Sequence, residues 1–173
     1  MQIPFDEKKT VPNLNTFRQY RYLSKVFDGG LTPLTLQDIF DFMKTHQDIT
    51  VMFDFLAGFI DKDNRALMND FAAAFTDKDI RDRSIIETYS KQNAIYLYEA
   101  GFANIQPFID IADNMETGLK TITEITNFVK QFNIKNMSIS QQKIQNDYED
   151  ILLLKSLSVR IFSPTGTTKK WGG

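Results

Sequence analysis

Five short runs of apolar and β-branched residues alternate with amphipathic segments along this chain. The runs occupy residues 49–55, 84–89, 104–111, 135–140 and 158–163. Each gap leaves room for a helical crossover, and strands connected through crossover helices run parallel. The pattern predicts an α/β fold with about five parallel strands and flanking helices. The apolar run at 49–55 is typical of a parallel strand that is buried on both faces.

Helix-capping residues bound the segments between the runs. A Ser or Thr at an N-cap accepts a backbone N–H of the first turn, and Gly or Asn after the last turn favours a left-handed C-terminal conformation. These rules predict helices that begin after Thr35, Ser90 and Thr121, a helix end at Gly101 and another at Asn133. Further helices are predicted from about Asp63, over 147–157, and in a short stretch at 14–23. Pro107 predicts an irregular stretch or a strand end within 104–111.

Composition excludes several classes of protein. A net charge of −2 gives no footprint for nucleic acid, and no apolar run reaches the roughly 20 residues of a membrane span. The chain has no cysteine and one histidine, His46, so one copy cannot build a disulfide or a pair of acid–base histidines. We expect a soluble, cytoplasmic protein in which His46 lies in a solvated loop. The segment 81–83, which carries charges of both signs, is also expected to be a solvated loop.

Asp54 is the one acid in the first strand-like run. A carboxylate among core-forming residues costs several kcal/mol unless a partner compensates it. It lies near the carboxyl end of its strand, where barrel enzymes place their chemistry. Asp54 is therefore a candidate metal ligand, with a solvated or backbone-bonded carboxylate as the alternative.

Several segments together resemble the glycerophosphodiester phosphodiesterase family, whose members form a phospholipase-C-like TIM barrel. The resemblance runs from about Pro12 to Thr165 and rests on the order of five segments, namely 32–38, 51–55, 84–89, 133–138 and 159–163. It implies an incomplete barrel, with an irregular segment at 1–30, a partial TIM-barrel-like domain at 31–165 and a tail at 166–173.

The departures from the family pattern limit what this resemblance implies. The family's first strands carry a histidine–arginine pair, two acids and a second histidine, none of which is present here. Leu56 stands where the family has a lysine after the ligand acid. The resemblance thus covers about five of eight βα units. A five-stranded piece cannot close into a barrel, so its two edge strands predict self-association or a partner that supplies further strands.

The resemblance also assigns roles to four residues. Asp54 would bind a divalent cation, calcium or magnesium, if a complete site forms. Glu87, Tyr89 and Phe162 would line the substrate site for a glycerophosphodiester. The alternatives are ordinary strand-end hydrogen bonds for Glu87 and Tyr89, and a core position for Phe162.

The expected function is that of the C-terminal part of a glycerophosphodiester phosphodiesterase, an enzyme of lipid metabolism. In the family, metal-assisted hydrolysis gives an alcohol and glycerol 3-phosphate. This chain alone is expected to show no turnover, because it lacks the acid–base histidines. The alternative is a non-catalytic interaction or structural βα protein.

Overall fold

The computed structural model describes residues 13–19, 32–55, 64–109, 119 and 121–163, and these form eight helices and five strands. The chain divides into two compact units, residues 1–49 and 50–173. The first unit holds α1 (Leu14–Gln19) and α2 (Leu36–Thr45). The second holds β1 (Val51–Phe55), α3 (Arg65–Ala74), α4 (Lys78–Asp82), β2 (Ser84–Thr88), α5 (Lys91–Glu99), β3 (Ile105–Ile109), α6 (Ile122–Gln131), β4 (Asn136–Ile139), α7 (Gln141–Asn146), α8 (Tyr148–Ser156) and β5 (Arg160–Phe162).

The five strands form one parallel sheet in the order β1-β2-β3-β4-β5, which is not closed into a barrel. Every strand therefore lies beside the strand that follows it in the sequence. Right-handed crossovers between such neighbours carry their helices to the same face of the sheet. This confirms the predicted α/β class and the parallel arrangement.

Aromatic side chains join β1 to the helices of the second unit. Phe53 of β1 meets Phe71 and Phe75 of the α3 region edge to face, with ring centroids 5.7 and 5.6 Å apart. Phe75 in turn packs on Phe102, at 5.0 Å. Phe75 and Phe102 are almost fully buried, and burial of each such ring stabilises the fold by about 1.5–3 kcal/mol.

Three helices end in the same hydrogen-bonded turn before a strand begins. After α5, the N–H of Phe102 bonds to the carbonyl of Leu97 across Gly101, which has φ +92°. The corresponding bonds run from Ile134 to Val129 after α6, and from Val159 to Leu154 after α8. This is the Schellman pattern, in which a left-handed residue reverses the chain and an apolar pair covers the turn. The residues bonded across each turn are all buried, so the turns fix the entry of β3, β4 and β5.

The N-terminal caps follow the predictions from the sequence. Thr35 and Asp38 form a capping box on α2, Thr121 and Glu124 form another on α6, and Ser90 caps α5. Asn133 adopts φ +50° after α6, as expected for a residue that ends a helix.

Three sequence interpretations need correction, and one short helix was not predicted. Strand β1 is not buried on both faces, because its side chains alternate between half-buried and exposed. Pro107 lies inside β3, where pairing passes from β2, through residues 105–107, to β4, through 108 and 109. Residues 81 and 82 belong to helix α4 rather than to a solvated loop, and α7 precedes the predicted helix α8.

Arg81 is half-buried against neighbouring helix ends, whereas Asp82 beside it is exposed. Its guanidinium donates to the carbonyl oxygens of Phe75 at 2.6 Å and Ala100 at 3.3 Å, and it lies over the Phe102 ring. The side chain thus ties α4 to the ends of α3 and α5. Residues 1–12, 20–31, 56–63, 110–118, 120 and 164–173 lie outside the described residues, as do the predicted features that fall on them, among them Leu56 and the helix start at Asp63.

Candidate functional site

One residue from each of the five strands contributes to a row of polar side chains on one face of the sheet. Side chains alternate between the two faces along a strand, and strand register decides which residues lie side by side. On the face opposite Phe53, the register aligns Asp54 with Glu87, Glu87 with Gln106, and Asn136 with Arg160. Phe108 pairs with Ser138, so the same register two residues earlier places Gln106 beside Asn136. We call Asp54, Glu87, Gln106, Asn136 and Arg160 the polar row.

The polar row is exposed at its two edges and buried in its middle. Asp54 on β1 and Arg160 on β5 are exposed, whereas Glu87, Gln106 and Asn136 are buried. Its charges are also ordered, with two acids on β1 and β2, two amides on β3 and β4, and a guanidinium on β5. The row therefore offers a ligand a negative end, a neutral middle and a positive end.

Asp54 lies at the penultimate position of β1, near the carboxyl end, as predicted. Its pKa is raised above the ordinary value of 3.8, first by burial and then by the neighbouring charge of Glu87, while a hydrogen bond from Tyr89 acts in the opposite direction. Two carboxyl groups on adjacent strands repel each other when both are ionised. A cation bound between them would relieve this repulsion.

Glu87 lies in a buried hydrogen-bond network with the two strands beyond it. The Ser138 hydroxyl donates to Oε1 of Glu87, and Nε2 of Gln106 donates to the same oxygen at 3.2 Å. Nε2 of Gln106 also lies 2.7 Å from Oγ of Ser138 and 3.5 Å from Sδ of Met52. These contacts satisfy one oxygen of a carboxylate that is only 7% exposed, and they link β2, β3 and β4 through side chains alone.

Three buried polar atoms in the middle of the row lack a hydrogen-bond partner within the described part of the chain. They are Oε1 of Gln106 and both Nδ2 and Oδ1 of Asn136. Each of the two residues is only 1% exposed. Buried polar groups are nearly always bonded, and an unpaired one costs about 1–3 kcal/mol. An unpaired donor and two unpaired acceptors thus lie on adjacent strands in the middle of the row.

Aromatic side chains lie one residue pair beyond the polar row, toward the carboxyl ends of the strands. Tyr89 stacks on Phe108, with ring centroids 4.8 Å apart and an interplanar angle of 27°. Phe162 lies across from Ser138 and is 42% exposed. The core alternative for Phe162 is therefore wrong, because its side chain ends at the edge of the sheet where β5 has one neighbour in the described residues.

The structure brings three of the four predicted site residues together. Asp54, Glu87 and Tyr89 meet at the carboxyl ends of β1 and β2, whereas Phe162 lies at the opposite edge of the sheet. The sequence analysis missed Gln106, Ser138 and Asn136. A period-two alternation of polar residues in their strands was the available signal, but only the register shows that they are neighbours.

His46 lies at the end of α2, in the first unit. Its ring stacks on Phe42 at 4.1 Å, and Nδ1 lies 2.9 Å from both the carbonyl oxygen of Phe42 and the Thr45 hydroxyl. These contacts are local to one helix end, and His46 is exposed just after α2, as expected for a solvated histidine between a helix and a strand.

Comparisons with known proteins add no assignment. No family model matches the sequence, and a search of the curated proteins finds no match.

Within the described residues, no three His, Cys, Asp or Glu side chains are grouped as a metal site. The helices of the same residues include none with the length and apolar character needed to cross a membrane.

Proposed function

We propose that this chain is a phosphodiesterase-like βα domain that binds a glycerophosphodiester, or the glycerol 3-phosphate released from one, at the polar row. A divalent cation, calcium or magnesium, would bind at Asp54 and Glu87. The observation that carries the proposal is the polar row itself, which crosses five parallel strands on the face opposite the aromatic core. A core-forming face has no physical reason to hold the buried polar side chains of Glu87, Gln106 and Asn136 on three adjacent strands.

The strand order supports a barrel-type relationship. Five parallel strands in sequential order are what successive βα units of a TIM barrel produce, whereas a doubly wound sheet reverses its order at a switch point. Barrel enzymes bind their ligands at the carboxyl ends of the strands, which is where Asp54 and Tyr89 lie, whereas Asn136 and Arg160 are the first residues of β4 and β5. Fold alone does not determine function, so the proposal depends on the residues of the row.

Cation binding fits the chemistry of these residues. Calcium and magnesium take oxygen ligands from carboxylates and amide carbonyls. Asp54 and Glu87 provide two carboxylates on adjacent strands, and waters or ligand oxygens would complete the coordination. With two protein carboxylates, we expect weak binding, with a dissociation constant on the order of the millimolar values of low-affinity calcium modules.

Hydrolysis by the chain alone is not part of the proposal. Glycerophosphodiester cleavage in the resembled family uses a pair of histidines, and the sequence holds one histidine. The domain would bind its ligand without turning it over, unless another chain supplies the proton-transfer groups.

Calorimetry and an activity assay test the proposal together. Titration with calcium or magnesium should give saturable heat with the wild-type protein and none with Asp54→Asn. Asp70→Asn, which removes an exposed acid of α3, should bind like the wild type. Release of glycerol 3-phosphate from glycerophosphocholine should stay at the background rate. Absence of binding of both the cations and glycerol 3-phosphate by the wild type would overturn the proposal, and robust hydrolysis would overturn its non-catalytic part.

A second candidate function follows from the edges of the sheet. In the described part of the chain, β1 has β2 as its one strand neighbour and β5 has β4. Unpaired strand edges are templates for pairing with another chain. A domain that pairs through β1 or β5 with a second copy would be an interaction protein.

A further inference from the structure

We infer that Asn136, together with Gln106, forms a subsite for the neutral hydroxyl-bearing part of a phosphorylated polyol. This inference rests on the proposed function and deepens it, because it assigns the ligand class to atoms that the cation does not use. The observation that carries it is the set of three buried atoms without a partner, on adjacent strands in the middle of the polar row.

The chemistry of these atoms defines the group that they would bind. Asn136 offers one donor and one acceptor side by side, and Gln106 adds an acceptor. A hydroxyl group both donates and accepts, so two neighbouring hydroxyls can pair with all three atoms. A carboxylate ligand cannot do so, because it only accepts, and an ammonium group only donates.

The position of the subsite in the row defines what the rest of the ligand carries. Arg160 is the register partner of Asn136 on β5, and it is exposed. A guanidinium is suited to bidentate binding of a phosphate. A ligand with hydroxyls at Asn136 would therefore place a phosphate toward Arg160, at the edge of the sheet that is open to solvent.

The melting temperature of the ligand-free protein distinguishes an asparagine that serves a ligand from one that stabilises the fold. If Asn136 is kept for a ligand, then without ligand its unpaired amide is a cost to the fold. Asn136→Leu, which has a similar volume and no polar atoms, should raise the melting temperature of the ligand-free protein. Asn93 is the matched control. It is equally buried, but its Oδ1 accepts from the backbone N–H of Asn64, so Asn93→Leu should lower the melting temperature.

Binding is measured by calorimetry with glycerol 3-phosphate and with inorganic phosphate as the probe that lacks hydroxyls on carbon. The wild type should bind glycerol 3-phosphate more tightly than phosphate. Asn136→Leu should weaken glycerol 3-phosphate binding at least tenfold and leave phosphate binding unchanged. Asn136→Ala is the second variant, in case the leucine does not pack.

The outcomes separate this inference from the proposed function. Equal affinity of the wild type for both probes, or unchanged glycerol 3-phosphate binding in both Asn136 variants, overturns the subsite and leaves the proposed function standing. A lower melting temperature of Asn136→Leu with unchanged binding assigns Asn136 a structural role and also overturns the subsite. A wild type that binds neither glycerol 3-phosphate nor cations overturns both.

Discussion

At the scale of single residues, Asp54 is a carboxyl group whose ionised form is disfavoured by the fold. Burial and the charge of Glu87 raise its pKa, and the hydrogen bond from Tyr89 offsets this only in part. A group that is harder to ionise in the folded state destabilises the fold once it is ionised. The ionised carboxyl of Asp54 is therefore somewhat less favourable in the folded state than in the unfolded chain, and its exposure keeps this cost small.

Asp54→Asn should stabilise the cation-free protein at neutral pH. The penalty of the ionised carboxyl is fully present above the raised folded-state pKa and is absent below the ordinary value of 3.8, where both states are protonated. The difference in melting temperature between the Asp54→Asn variant and the wild type should thus shrink as the pH falls toward 3.8. Melting curves across this pH range measure it. A gain that stays constant with pH would contradict the electrostatic origin.

Addition of calcium provides the second arm of this prediction. Bound cation stabilises the ionised pair, so calcium should raise the melting temperature of the wild type and not that of Asp54→Asn. Acid should weaken this effect, because protons compete with the cation for the carboxylates. Asp70→Asn is again the control, since loss of that exposed acid should leave the response to calcium and to acid as in the wild type.

At the scale of elements, the turns that end α5, α6 and α8 differ in the residue that takes the left-handed conformation. Gly101 occupies it after α5, Asn133 after α6 and Ser158 after α8, with φ of +92°, +50° and +62°. Glycine adopts this conformation without steric cost, and asparagine adopts it more readily than serine. The turn after α8 is therefore the one with the most to gain from substitution.

Ser158→Gly should stabilise the protein by roughly 0.5–1 kcal/mol, because it removes the left-handed penalty while keeping the backbone hydrogen bonds of the turn. Gly101→Ala should destabilise the protein. The alanine would have to adopt φ +92°, and its Cβ would lie 3.3 Å from the Arg81 guanidinium. Urea unfolding of the two variants measures both effects. Equal stability of Ser158→Gly and wild type would show that the turn after α8 is not strained.

The elements also show where sequence information suffices. Capping residues predicted α2, α5 and α6 because each cap acts within four residues of its own helix. The short helices α4 and α7 were missed because five or six residues carry too little periodicity. Asn136 was missed for a different reason. Its place in the polar row depends on Gln106 and Arg160 on neighbouring strands. The register between segments far apart in the chain cannot be found from the local sequence.

At the scale of the whole molecule, the parallel sheet has two edges and a polar face between them. Sequential strand order leaves β1 and β5 farthest apart in an unclosed sheet. The sequence predicted this arrangement from the alternation of strand-like runs and helices. It did not predict that Met52 and Phe162 would be exposed at those edges, because exposure depends on which strands have neighbours, whereas a solvated Asp54 was one of its two alternatives.

Self-association through these edges is expected to depend on protein concentration. Each unpaired edge presents backbone N–H and C=O groups that a second copy can pair, and the burial of Met52 or Phe162 would add apolar contact. Size-exclusion chromatography with light scattering should show a mass that increases above that of the monomer, 20.0 kDa, as concentration rises.

Amide hydrogen exchange localises the contact between the copies. In dilute protein the amides of β1 and β5 should exchange faster than those of β3, and at high concentration one edge should gain protection. A monomer at every concentration, with β1 and β5 as protected as β3, would mean that the edges are already covered and would rule out the interaction function.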